Sequence, residues 1–220
     1  MKFSAVCFDI DGTMGDTFPI CIPLLTSIFS RFGGKNYQDS DVTQYFGLNE
    51  QGIAQKLTGE NWQAAAATFF KEYAMALKSQ QVAPFAGIVE LLQALQSRHV
   101  LLLLVTGKSH ESCEITLRHW GMEHFFRQVL CGGPDKLNKG AQIASLLQDF
   151  NLAPEQMCYI GDALTDVTAC RANDVVCLSA LWQPADLDKA QVRALNPHYC
   201  FDSVQGLSDF LLPQVVAYPA

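Results

Sequence analysis

The chain is 220 residues long, 49% hydrophobic and 17% charged, proportions that exclude a largely disordered polymer and suit one domain, or one domain with an insertion. Fifteen Lys and Arg oppose 22 Asp and Glu for a net charge of −7, and with no basic run the footprint of a nucleic-acid binder is missing. The longest purely apolar run, Val100–Val105, falls far short of the roughly 20 residues that span a bilayer. An Asp at position 9 comes too early for a signal peptide, so a cytoplasmic protein without membrane or nucleic-acid partners is expected. The eight cysteines include no CxxC pair and mostly sit in apolar strings, as small buried hydrophobes in a reducing compartment do.

Phe3–Phe8 is the first short apolar run and reads as a buried strand. From Asp16 to about Val82 nothing reads as a strand. A helical stretch around Cys21–Phe32 contains Pro23, which must start or kink it, and Gly33-Gly34 ends it. Trp62, Ala66, Phe69, Phe70, Tyr73 and Leu77 then follow the spacing of an amphipathic helix. The chain returns near Pro84-Phe85-Ala86-Gly87 to a helix with Ile88, Leu91, Leu92 and Leu95 on one face.

Leu101–Val105, Val129–Cys131, Met157–Ile160 and Val175–Leu178 read as further strands. Between the second and third of these, Ile143, Leu146, Leu147 and Phe150 mark the buried face of a helix. Tyr199–Phe201 adds a sixth strand and Val204–Leu212 a last helix. Strands alternating with helices build right-handed βαβ units and a parallel sheet. The expected architecture is α/β: residues 1–15 and 83–220 form a doubly wound core, and residues 16–82 an inserted helical unit.

In open α/β sheets ligands bind beyond the carboxyl ends of the strands. Those ends carry Asp9-Ile10-Asp11-Gly12-Thr13, Thr106-Gly107-Lys108-Ser109, Gly132-Gly133-Pro134-Asp135-Lys136 and Gly161-Asp162. Three carboxylates gathered at neighbouring tips repel one another unless a cation neutralises them. Oxygen ligands without His or Cys favour Mg²⁺ over zinc. A carboxylate can attack phosphorus to give an aspartyl-phosphate. That reaction needs a metal ion, a cation and a hydroxyl for the phosphate oxygens, and an acid for the leaving group. Asp9, Asp11, Thr106, a Lys near position 139 and Asp162 supply these parts.

Lys136 and Lys139 compete for the phosphate. Asn138 reads as a helix N-cap, which puts Lys139 in a first turn where its charge opposes the dipole, a sign of an anionic partner. Lys108 reads as solvent-facing.

With Phe8-Asp9-Ile10-Asp11-Gly12-Thr13, Val105-Thr106-Gly107-Lys108-Ser109, Lys139 and Ile160-Gly161-Asp162-Ala163-Leu164-Thr165-Asp166, the chain resembles the haloacid dehalogenase-like hydrolase superfamily. The likeness is to its phosphatases with a helical cap inserted after the first motif, and within them to phosphoglycolate phosphatase-like members. The resemblance implies a Rossmann-like core and a small phosphorylated metabolite as substrate. It implies Asp9 as nucleophile and Mg²⁺ ligand, and Asp11 as general acid/base with its backbone carbonyl on the metal. Thr106 and the Gly107 N–H would bind phosphate oxygens together with Lys139. Asp162 would be the side-chain metal ligand, and Asp166 would reach the metal shell or orient Lys139.

An acid at position 11 favours phosphate esters over haloacids within that superfamily. Phe46 and Glu50 stand where its sugar phosphomutases carry basic residues, and Lys35 and Lys56 lack a convincing context for the Schiff base of a phosphonate hydrolase. A phospho-receiver module shares the Asp, Thr and Lys set but needs neither the helical insert nor Asp11.

Overall fold

The computed structural model describes residues 2–136, 138–184 and 188–219. The first strand, β1 (Ala5–Phe8), leads into four helices: α1 (Phe18–Gly33), α2 (Asp39–Thr43), α3 (Glu50–Thr58) and α4 (Trp62–Ser79). Alternation then resumes with α5 (Ile88–Ser97), β2 (Leu101–Val105), α6 (His110–Trp120), β3 (Gln128–Leu130), α7 (Lys139–Asp149) and β4 (Met157–Gly161). The chain ends with α8 (Leu164–Arg171), β5 (Val176–Ala180), α9 (Lys189–Leu195), β6 (Cys200–Phe201) and α10 (Val204–Leu211).

All strand pairs are parallel, and the sheet order is β3-β2-β1-β4-β5-β6. The chain winds outward from β1 to β3 and then crosses back to lay β4 on the other side of β1. The topological switch point therefore lies between β1 and β4, where Phe8 pairs with Ile160. The residues that follow these two strands, Asp9 and Asp162, sit where a doubly wound sheet binds its ligand.

Successive strand residues point to opposite faces, and both faces are covered, which is why the strands read as continuous apolar runs. Val6, Phe8, Leu102, Leu104 and Ile160 pack against α5 and α10 through Leu92, Leu95, Leu207 and Leu211. On the other face Cys7, Leu101, Leu103, Met157 and Tyr159 meet Ile143 and Leu146 of α7 and Val167 and Cys170 of α8. Six of the eight cysteines are buried and the other two half-buried, all free thiols, as their apolar neighbours in the sequence suggest.

The helices before β2 have their own apolar centre. Leu25, Ile28 and Phe29 of α1, Ile53 and Leu57 of α3, and Phe69, Tyr73 and Leu77 of α4 are all buried together. Phe69 and Tyr73, one helical turn apart, stack with centroids 5.4 Å from each other. α1 begins several residues before Pro23: Pro19 occupies the first turn, where a missing N–H costs nothing, and Pro23 lies inside the helix. Gly34 closes it in the left-handed conformation, at φ 66°. Boundaries elsewhere shift by a residue or two, as strand ends do: Phe3 forms only an isolated bridge to Val215.

The central position of Leu103, fully buried between β1 and β3, sets a test of this packing. Leu103→Ala should lower the unfolding free energy by about 3 kcal/mol, within the 2–5 typical of such truncations. Urea titration would measure it, and a loss below about 1 kcal/mol would contradict a close-packed sheet centre.

Candidate active site

Asp9 continues the β1 ladder, its N–H donating to the Ile160 carbonyl at 2.9 Å. The chain then reverses tightly. The Ile10 carbonyl accepts from the N–H groups of Thr13, Met14 and Gly15, and Gly12 takes φ +75°. A Cβ on Gly12 would lie 2.1 Å from Asp162 Oδ2, so only glycine lets this turn press against the β4 tip. The Ile10 N–H donates to Asp9 Oδ1 at 2.7 Å, and Thr13 Oγ1 donates to Asp162 Oδ1 at 3.3 Å. Asp11 points away from these two carboxylates: Oδ1 accepts from the Thr17 hydroxyl, and Oδ2 lies 3.3 Å from Lys108 Nζ.

Lys139, the first residue of α7, is only 6% exposed and lies between two carboxylates. Its Nζ is 2.6 Å from Asp9 Oδ2 and 2.6 Å from Asp166 Oδ1. Asp166 Oδ2 in turn accepts from the Ala163 N–H at 3.0 Å, capping α8. Lys136 is exposed, and of the two lysines it is Lys139 that the structure brings to Asp9 and Asp166. Its seat in a first turn fits the charge argument, because both partners are anionic. Asp166 orients Lys139 and caps its own helix at once, a task that Asp162 does not share.

The electrostatics follow from burial. Burial pushes the Asp9 carboxyl from the ordinary 3.8 up to about 6, against the attraction of Lys139. Asp162 also lies well above its usual range, through burial and the repulsion of Asp166 and Asp9. Burial alone would lower Lys139, but Asp166 and Asp9 outweigh it and hold the ammonium above its ordinary value. Asp9, Asp162 and Asp166 each bring a carboxylate oxygen within 4.8 Å of the others. This all-oxygen set fits a hard divalent cation such as Mg²⁺. Asp9 and Asp162 line the cavity and Asp166 does not, so Asp9 and Asp162 are the side chains best placed to take it.

The loop after β2 departs from expectation at one residue. Thr106 is buried, and its Oγ1 accepts from the Lys108 N–H at 3.3 Å. Ser109 caps α6, accepting from the Ser112 N–H. Lys108, expected to face solvent, is only 4% exposed. Beside its ion pair with Asp11, its ammonium stands over the ring of Tyr73 from α4, 4.9 Å from the centroid. Burial opposes the charge, yet Asp11 and then Tyr73 keep the ammonium well above the ordinary lysine range. A buried cation with a carboxylate and an aromatic face is stable where a lone one would not be.

The helical insert covers these strand ends. Asn49 donates through Nδ2 to the Gly132 carbonyl at 3.0 Å and through its N–H to the Gly133 carbonyl at 3.1 Å. Glu50, buried, accepts from the Ser109 N–H at 2.8 Å and from Ser112 Oγ at 2.6 Å. Tyr73 Oη and Thr116 Oγ1 are 2.9 Å apart. Asn49 and Glu50 help to line a partly open chamber of about 230 Å³ over Asp9, Asp11, Gly107, Lys108, Lys139 and Asp162. Thr106 and Asp166 are buried beside Gly107 and Lys139 and are not among its lining residues. Asn49, Glu50, Tyr73 and Lys108 were not picked out as site residues in the sequence. An Asn followed by a Glu is ordinary chemistry for a helix start, and only docking of the insert turns them inward.

The haloacid dehalogenase-like hydrolase family matches residues 6–180, from β1 through β5. The chain belongs to that family. The phosphoglycolate phosphatase of Psychrobacter arcticus is 28% identical over 236 residues, covering 100% of this chain and 99% of the relative. That of Synechococcus elongatus is 26% identical over 180 residues, covering 81% and 84%. A haloacid dehalogenase-like family hydrolase of Streptococcus pneumoniae superposes with a TM-score of 0.72 at 23% identity, covering 94% of this chain and 98% of the other. CbbY of Rhodobacter sphaeroides, in complex with phosphate, gives 0.73 at 15% identity, covering 93% and 96%. The expected family and the doubly wound core with helices over its strand ends are borne out.

Because the folded-state value of Asp9 lies above the unfolded one, the folded protein holds that proton more tightly between about pH 4 and about pH 6. The stability this supplies is complete below that window and is lost as the pH rises through it. The stability of the metal-free wild type relative to Asp9→Asn should therefore fall across the window, as measured by chemical denaturation at each pH. A flat or rising difference would show that burial does not govern Asp9.

Proposed function

We propose that the chain is a Mg²⁺-dependent phosphatase that hydrolyses small phosphomonoesters through an aspartyl-phosphate on Asp9. The observation that carries this reading is the enclosed pairing of Asp9 with Lys139 at 2.6 Å, with Asp11 across the same chamber. Asp9 would attack phosphorus as Asp11 gives its carboxyl proton to the departing oxygen, so that one P–O bond forms as another breaks. Lys139, the Gly107 N–H and the Thr106 hydroxyl would hold the phosphate oxygens. In the second half Asp11 takes a proton from water, the water oxygen bonds to phosphorus, and Asp9 leaves as carboxylate. Mg²⁺ held by Asp9, Asp162 and the Asp11 carbonyl would neutralise the meeting of carboxylate and phosphate. The relatives named as phosphoglycolate phosphatases support this substrate class, and the insert's closure over the site would exclude water from the covalent step.

The rival chemistries of the family find less support. A phosphonate hydrolase needs a neutral amine for its imine, whereas Lys35 and Lys56 are exposed outside the chamber and Lys108 is held as an ammonium. A mutase must hold a second phosphate, and Glu50 places an acid in the chamber wall. A phospho-receiver must stay open to a protein phosphodonor, which the docked insert opposes. Among the described residues no helix is long and apolar enough to cross a membrane, and the eight free thiols suit the cytoplasm.

Phosphate release from a panel of small esters tests the reading, with borohydride and a sugar bisphosphate as added arms. We expect turnover that neither addition changes. Borohydride inactivation would mean phosphonate chemistry, and bisphosphate dependence a mutase. Asp9→Asn should fold and lose at least ~10³-fold in turnover, as when a group that acts only in the transition state is removed. A chelator should abolish activity, Mg²⁺ restore it, and Ca²⁺ restore it poorly, because looser coordination lets Asp9 bind through both oxygens. Full activity in chelator would remove the metal from the scheme.

A further inference from the structure

The chamber holds two cations with different surroundings. Lys139 is committed to Asp9 and Asp166, on the side where phosphorus would sit. Lys108 lies instead 3.3 Å from Asp11, the acid assigned to the leaving group in the scheme above. An ammonium has three donor directions. Asp11 and the face of Tyr73 account for two of them, and Lys108 lines the cavity itself. The polar side chains that the insert brings to the wall are already matched. Glu50 accepts from Ser109 and Ser112, and Asn49 is bound to Gly52, Gly132 and Gly133. What remains toward the insert is apolar: Phe18, Leu25, Phe46, Leu48 and Ile53.

Resting on the proposed function, we propose that Lys108 is the specificity-determining residue, and that its ammonium receives a carboxylate carried by the leaving group of a short phosphoester. A polyhydroxylated leaving group would press its hydroxyls against apolar side chains, where unpaired polar groups are costly. A second phosphate would bring roughly −1.5 to −2 charges to one cation already flanked by Asp11 and with Glu50 in the same wall. A single carboxylate charge matches one ammonium, and a chamber of about 230 Å³ leaves room for a short carbon skeleton. Because Tyr73 belongs to the insert and Asp11 to the core, Lys108 has both contacts only when the two are docked. A carboxylate on Lys108 would therefore be read in the closed chamber, where it is shielded from water and counts most.

The test compares 2-phosphoglycolate with its carboxamide, which keeps the size and removes the charge. In the wild type kcat/KM should favour the carboxylate at least about 10-fold. In Lys108→Met that preference should largely disappear, a fall of about 10-fold or more, chiefly through KM, in line with sites whose polar group loses its partner. Lys108→Arg should keep the preference in the same direction. Equal kcat/KM for the two esters in the wild type, a reading that needs no variant, would overturn the proposal while leaving the phosphatase reading intact. An equal loss on both esters in Lys108→Met would overturn it too, since a merely structural lysine acts on both alike. Failure of the wild type to release phosphate from any ester would instead sink the proposed function itself.

Discussion

The site depends on one buried ammonium. Lys139 Nζ holds Asp9 and Asp166 at 2.6 Å each, and without it two carboxylates would face each other under the sheet's switch point with no counter-charge. Removing one member of such a group costs about 3–5 kcal/mol, because the remaining charge stays buried and unpaired. The arrangement also fixes three elements relative to one another, since Asp9 follows β1, Asp166 lies in α8 and Lys139 opens α7. Local chemistry supports it: Asp166 is anchored by the Ala163 N–H, and Gly161 lets β4 pass beneath, where a Cβ would come within 2.5 Å of Asp166 Oδ2. Even so, Asp9 remains shifted up to about 6. A single lysine does not offset the burial of three acids, and the remaining deficit is what a divalent cation would supply.

Much of this was legible in the sequence because it lies at strand ends. Asp9, Asp162 and Asp166 follow apolar runs short enough to be buried strands, and topology then brings β1 and β4 side by side. Lys139 was legible for a different reason: a cation in a first helical turn is locally unfavourable, so it called for a partner. Lys108 offered no such signal. Its neighbours, Asp11 and Tyr73, are remote in the chain, and whether a lysine after a strand turns out or in depends on what covers the strand end. Glu50 and Asn49 were hidden in the same way. As a helix start they look sufficient in themselves, and indeed Asn49 caps α3 through Gly52. Their second partners lie on loops far along the sequence. Strand boundaries slipped by a residue, as at β3, because a three-residue edge strand carries too few side chains to fix its own ends.

The segment Thr106–Ser109 serves core and insert together. The Thr106 N–H extends the sheet by donating to the Leu130 carbonyl, and Gly107 lies so close to Gly132 that a Cβ on the latter would meet the Gly107 oxygen at 2.1 Å. The next two residues turn to the insert, Lys108 to Tyr73 and Ser109 to Glu50. A loop built this way couples what binds at the strand ends to how the insert is seated, with no need for a long-range route through the core.

The same coupling runs through the linker that leaves β1. Asp11 accepts from Thr17, which immediately precedes α1, so a displacement of α1 from the sheet pulls on the side chain that would serve as acid. The returning linker is held as well: Phe85 donates to the Met14 carbonyl, and both His119 and Trp120 bond the Val82 carbonyl. The two cations of the chamber therefore differ in kind. The partners of Lys139 all belong to the doubly wound core and persist however the insert sits. Those of Lys108 come from both units, so its setting exists only when they are closed on each other. The chemistry proposed at Asp9 is built into the sheet, whereas the recognition proposed at Lys108 is conditional on closure, and the division follows from where the helices are inserted: directly after the strand that leads into Asp9.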